Sequence, residues 1–152
     1  LPAAMPSGDA LRQQLAAELE LLRRVRADPE LATDWLGCGG SEDDGRQLAR
    51  LIARVAHWDV LLDFWERLAG RCKQQQRAAS ADELAILRAV LAVHNLRWQG
   101  RQATLREVAT GVPYDFQQHQ RGTPTGDMIV SLWLPGMVNA GGDLQKKPLV
   151  RT

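Results

Sequence analysis

The sequence predicts an α+β protein, mainly α, with helices up to about residue 100 and a small β module after it. Two observations carry this. Apolar residues recur at three- and four-residue steps through the first two thirds of the chain, the spacing of one helical face. After Gly100 that period is lost, Gly and Pro become frequent, and one short apolar run has strand character. The expected organisation is an N-terminal helical segment over 1–40, a helical domain over 41–100 and a small β-rich domain over 101–152.

Leu11, Leu15, Leu19, Leu22 and Val25 form one stripe and predict a first helix. Asp28-Pro29 punctuates the chain, since Asp caps and Pro fits the first turn, where its missing N–H costs nothing. A short helix through Trp35 should follow, stopped by Gly37-Cys-Gly-Gly40. Ser41 with Asp44 resembles a capping box opening a long second helix. Its apolar face is Leu48, Leu51, Ile52, Val55, Trp58, Leu62, Trp65 and Leu68, running to about Cys72. Ser80-Ala-Asp-Glu83 is a better capping box and starts a third helix. There Leu84, Leu87, Leu91 and Trp98 share a stripe widened by Ile86, Val90 and Val93, with Gly100 as the stop. The stripes carrying Leu51, Ile52, Val55, Leu62, Leu87 and Leu91 are too wide for two helices to cover each other, so they call for a partner. In the last third, Met128–Leu134 is the best strand. Leu144–Val150 is the candidate hairpin partner, with Pro148 at an edge or end.

Composition narrows the function classes. The chain of 152 residues is 45% hydrophobic and 24% charged, a balance that supports a packed core rather than disorder. A formal charge of +1 gives no electrostatic footprint of a nucleic-acid binder. No apolar run approaches the roughly 20 residues that span a bilayer. The opening Leu1-Pro-Ala-Ala-Met-Pro-Ser7 lacks the basic and apolar regions of a signal peptide, and without an initiator Met the chain is expected to be processed or trimmed there. Cys38 and Cys72 lie in unlike contexts and read as two thiols of a reduced, cytoplasmic protein.

No constellation advertises catalysis or a metal. His57, His94 and His119 belong to three different elements, without a cluster at metal-ligand spacing. Asp59, Asp63 and Glu66 share one helical face, and Arg67 and Arg71 nearby make it read as solvated. No cofactor is expected, because the Gly-containing segments do not sit between a strand and a helix as a phosphate loop would. Five Trp against one Tyr and two Phe are more distinctive. Trp58 and Trp65 follow the apolar stripe. Trp133 alternates with Leu132 and Leu134 in a short strand, so it is either core or an exposed binding anchor.

The segment Gly111-Val-Pro-Tyr-Asp-Phe-Gln-Gln-His119 resembles the GrpE pattern Gly-x-Pro-Phe-Asp-Pro-x-x-His: Gly111, Pro113, Asp115 and His119 match, and Tyr114 takes the aromatic place. Met128-Ile-Val-Ser-Leu-Trp-Leu-Pro-Gly136 is similar to the family's strand before its Gly-Tyr hairpin. Leu144-Gln-Lys-Lys-Pro-Leu-Val-Arg151 is similar to its closing strand, and Asp63-Phe-Trp-Glu-Arg-Leu68 to its Asp-Asn-Leu-Glu-Arg-Ala helix. Together they cover roughly residues 45–152, in the family's order. Phe116, Arg121, Met137, Lys146 and Lys147 depart from the pattern, and the first helix is much shorter than the family's coiled coil.

The resemblance implies a nucleotide exchange factor of a DnaK-type heat-shock chaperone, a homodimer whose helical hairpins form a four-helix bundle and whose β wing meets the nucleotide-binding domain. An adaptor that keeps the scaffold without exchange is the alternative, and a small enzyme using Asp115 and His119 is a third reading. For the partner contact the expectation is Trp133, Leu134, Pro135, Gly136 and Met137, with Arg151 as a polar partner. For the dimer interface it is Leu51, Ile52, Val55, Leu62, Leu87 and Leu91. Gly111, Pro113, Tyr114, Asp115 and His119 are expected to shape the turn between helices and wing.

Overall fold

The computed structural model describes residues 4–37 and 42–152. The α+β class holds. The helices are α1 (Gly8–Gln14), α2 (Ala16–Arg26), α3 (Pro29–Leu31), α4 (Asp44–Val55), α5 (Trp58–Gln75) and α6 (Ala81–Asn95), with a π-helical turn (Ala32–Leu36) after α3. The strands β1 (Thr104–Arg106), β2 (Gln120–Arg121), β3 (Ser131–Leu134), β4 (Gly136–Val138), β5 (Leu144–Lys146) and β6 (Leu149–Arg151) build two three-stranded sheets, ordered β1-β4-β5 and β2-β6-β3. The chain divides into two compact units, 1–54 and 55–152. The boundary expected at 100/101 falls inside the second unit, which holds α5, α6 and every strand.

In the first unit, Asp28 caps α3 by accepting from the Leu31 amide, with Pro29 in the first turn. The expected first helix is interrupted at Leu15, whose backbone leaves helical geometry. Only the later part of its stripe is buried: Leu22 and Val25 are inside, with Leu21 beside them, whereas Leu11 is exposed. Arg26 ties α2 to the start of α4 through Asp44 at 2.7 Å and Gln47 at 2.8 Å. The Gly37–Gly40 turn beyond Gly37, Cys38 and the Ser41 cap lie outside the described residues.

The expected single helix from 41 to 72 is two helices, broken at Ala56-His57. The apolar stripe runs through the break without a gap, so periodicity does not mark it. The cause is a polar contact made far along the chain. The Ala56 carbonyl accepts from His94 Nδ1 at 2.9 Å and from Arg97 at 3.0 Å, which satisfies an acceptor that the helix end leaves open. His94 Nε2 in turn accepts from the Trp98 indole.

α6 starts where its sequence says. Ser80 accepts from the Glu83 amide and Glu83 accepts from the Ser80 amide, a complete capping box. The helix ends at Asn95, before Gly100, because the Asn95 amide bonds reciprocally with both backbone groups of Ala103 at 2.8 Å. Glu83 is buried and also receives Arg71 and Arg77. Burial alone would raise its carboxyl pKa. Hydrogen bonds from Arg77, the Ser80 amide and Arg71 outweigh that and bring it from the ordinary 4.5 down to about 2. Cys72 is fully buried with a free thiol, and burial first, then the Glu83 charge, pushes its pKa up.

Because the folded pKa of Glu83 is depressed, its contribution to stability is complete above pH 4.5 and is lost as pH falls toward 2. Chemical denaturation across that window should show wild-type stability declining and a flatter profile for Glu83→Gln. Glu83→Ala, which leaves Arg71 and Arg77 without their carboxylate, should cost about 3 kcal/mol at neutral pH. Equal pH slopes in wild type and Glu83→Gln would contradict this assignment.

Candidate functional site

The strand module is where the resemblance to a binding wing falls, and its turn is built from the matched residues. Gly111 adopts φ +82°, a conformation side chains disfavour. Its amide donates to the Ile129 carbonyl, and the Ile129 amide returns to Val112. Pro113 forms a bridge with Met128, and the Tyr114 amide donates to Asp127. Asp115 Oδ1 accepts from the Gln117 amide at 2.9 Å, an Asx turn, and His119 Nδ1 accepts from the Asp115 amide at 3.1 Å. The Asp115 carboxylate and the His119 ring therefore each bond to backbone. The turn delivers the chain into β2, where the Gln120 amide meets the Pro148 carbonyl.

β2 runs parallel to β6, and β3 runs antiparallel to it, with Leu132 opposite Val150. The expected pairing of the Met128 run with the closing run is thus only partly formed. Leu149–Arg151 pairs with β3, while Leu144–Lys146 pairs with β4 in the other sheet. Pro135, without an N–H, separates β3 from β4 at the point where the chain changes sheets.

That change of sheet corrects the expected contact surface. Trp133 is 5% exposed, Leu134 and Met137 are 0% exposed, and Pro135 and Gly136 are buried with them. None of the five is a projecting tip. Gly122 gives the Trp133 ring its seat, since a Cβ there would stand 2.7 Å from the indole carbons. The Trp133 carbonyl accepts from the Ala79 amide, and the Pro135 carbonyl accepts from the Trp65 indole at 2.7 Å. Trp65 therefore keys the strands to α5 rather than packing only between helices. Of the six expected contact residues, only Arg151 is exposed.

The exposed apolar residues of the module are Met128, Val130 and Phe116. Met128 and Val130 flank the buried Ile129, the alternation of an extended segment. The Val130 amide donates to the Arg151 carbonyl, so the three exposed residues Met128, Val130 and Arg151 belong to neighbouring backbone. Met128 and Val130 are not among the expected contact residues, which centre on Trp133. Their position two residues apart, before the strand proper, was the signal.

The expected dimer residues also shift in meaning. Leu51, Val55 and Leu87 are 0% exposed and Leu91 is 6% exposed within the single chain, while Ile52 and Leu62 are half-buried. A partner is not needed to cover the four buried ones. Among the described residues no group of three His, Cys, Asp or Glu side chains could hold a metal ion, and no helix is long and apolar enough to cross a membrane. No family model, curated protein or solved structure matches the chain.

Trp133→Ala should lower unfolding free energy by about 3–5 kcal/mol, the cost of emptying a packed aromatic site, whereas Arg151→Ala should stay within about 0.5 kcal/mol of wild type. Urea denaturation followed by circular dichroism distinguishes them. A stable Trp133→Ala protein would return Trp133 to the surface.

Proposed function

We propose that the chain is a nucleotide exchange factor for a DnaK-type heat-shock chaperone, acting by binding the open form of the chaperone's nucleotide-binding domain. The supporting observation is the matched segment Gly111–His119. Its residues make a backbone-bonded turn that launches a strand module, and that module carries the exposed Met128, Val130 and Arg151. Exchange of this kind is differential binding. A factor that prefers the open state shifts the equilibrium toward nucleotide release, and by linkage nucleotide weakens the factor's hold. A tenfold preference corresponds to about 1.4 kcal/mol, within reach of two apolar side chains and one guanidinium. Cytoplasmic residence and a homodimer belong to the same reading. The uncovered apolar residues of the helical hairpin region, half-buried Leu62 and exposed Leu96 and Trp98, supply a surface for a second protomer.

The second reading is an adaptor that keeps the scaffold without exchange. It is favoured by the burial of Trp133–Met137, which removes the apolar tip expected to engage the chaperone.

Release of a fluorescent nucleotide from a DnaK-type chaperone should accelerate when the protein is added. Val130→Asp should cut that acceleration about tenfold by placing a charge in the apolar contact, with helicity unchanged. Binding without acceleration would leave the adaptor, and no binding would remove both. Sedimentation equilibrium tests the pairing, where the mass of one protomer would exclude the homodimer.

A further inference from the structure

Arg121 stands apart from the rest of the turn. Its guanidinium lies 4.3 Å from the centroid of the Tyr114 ring. Its buried Nε has no hydrogen-bond partner, and its Nη1 reaches the Pro124 carbonyl only at 3.5 Å. Among the described residues no carboxylate forms an ion pair with it. The same guanidinium faces an open cavity of about 620 Å³ lined by Tyr114, Asp115, Phe116 and Arg121. Phe116, 69% exposed, supplies an apolar wall, and Lys147 is held beside it by donating to the Phe116 carbonyl at 2.8 Å. Asp115 contributes the opposing charge, but one of its carboxylate oxygens is already engaged by the Gln117 amide.

We propose that this cavity binds an acidic peptide segment of a protein partner, with a Glu or Asp carboxylate on Arg121 and a neighbouring aromatic or aliphatic side chain against Phe116. An arginine held over an aromatic ring is restricted in its freedom, and its fork of donors matches a carboxylate's two oxygens. The ring contact restricts the guanidinium, and Lys147 tips the local charge positive against Asp115. A single carboxylate fits that balance better than a run of phosphates, which would meet Asp115 as well. The proposal does not depend on the exchange reading, which uses Met128, Val130 and Arg151.

The test is titration of the full chain with acetyl-Gly-Glu-Phe-Gly-amide, followed by the Arg121 Nε–H signal and the backbone amides of residues 114–121 in nitrogen–proton correlation spectra. Saturable shifts of these signals are expected, with the Gln counterpart binding roughly tenfold more weakly for want of a charged acceptor. Arg121→Gln should abolish the shifts. Phe116→Ala, a change at an exposed side chain that leaves the fold intact, should weaken binding severalfold. Equal response to the Glu and Gln peptides, absence of shifts at Arg121, or the same response to inorganic phosphate or a short single-stranded thymidine oligonucleotide would overturn the proposal.

Discussion

The hydrogen bond from the Trp65 indole to the Pro135 carbonyl, 2.7 Å long and buried, joins two parts of the second unit that sequence alone separates. Pro135 sits where the chain leaves one sheet for the other, so its carbonyl has no ladder partner of its own across the break. Leaving such a group buried and unpaired would cost about 1–3 kcal/mol. The indole removes that penalty and fixes the sheet junction against α5. Around it, the Ala79 amide takes the Trp133 carbonyl, and the Asn95 side chain takes both backbone groups of Ala103. The hairpin loop and the end of α6 are thereby bonded to the strand module as well.

This arrangement decides which residues are left for function. A segment buried on every residue from Trp133 to Val138 is a core element, on which the outer residues are mounted. Met128 and Val130 precede it, Arg151 closes the neighbouring strand, and the Gly111–His119 turn presents Tyr114 and Phe116. A rigid interior with a few exposed apolar and cationic side chains is a suitable basis for recognition, since little ordering remains to be done on binding.

Features governed by local chemistry were legible in the sequence. The Ser80–Glu83 capping box and the Asp28-Pro29 start depend on residues within one turn. The helical stripes place Leu68, Leu87 and Val90 inside, as their spacing predicts. What escaped depended on distant partners or on elements too short to show a period. The break at Ala56-His57 is set by His94 and Arg97. β1 has three residues and β2 has two, too few to reveal alternation. Alternation left Trp133 open between core and surface, because it assigns neighbours to opposite faces, whereas here the chain passes between two sheets and both Trp133 and Leu134 are buried. Gly111, Pro113, Asp115 and His119 fall in one structured segment, whereas the unbonded Nε of Arg121 shows only in the three-dimensional structure.

The central claim is that strands and helical hairpin form one cooperative unit keyed by Trp65. Native-state hydrogen exchange on the protein with Trp65 replaced by β-(3-benzothienyl)alanine tests it most directly, because the bicyclic ring remains and the N–H donor is lost. Protection of β3, β4, α5 and α6 should fall together, by the same free energy of about 1–3 kcal/mol. If the strand amides lost protection while α5 and α6 kept theirs, the two would be separate units and the account would be wrong.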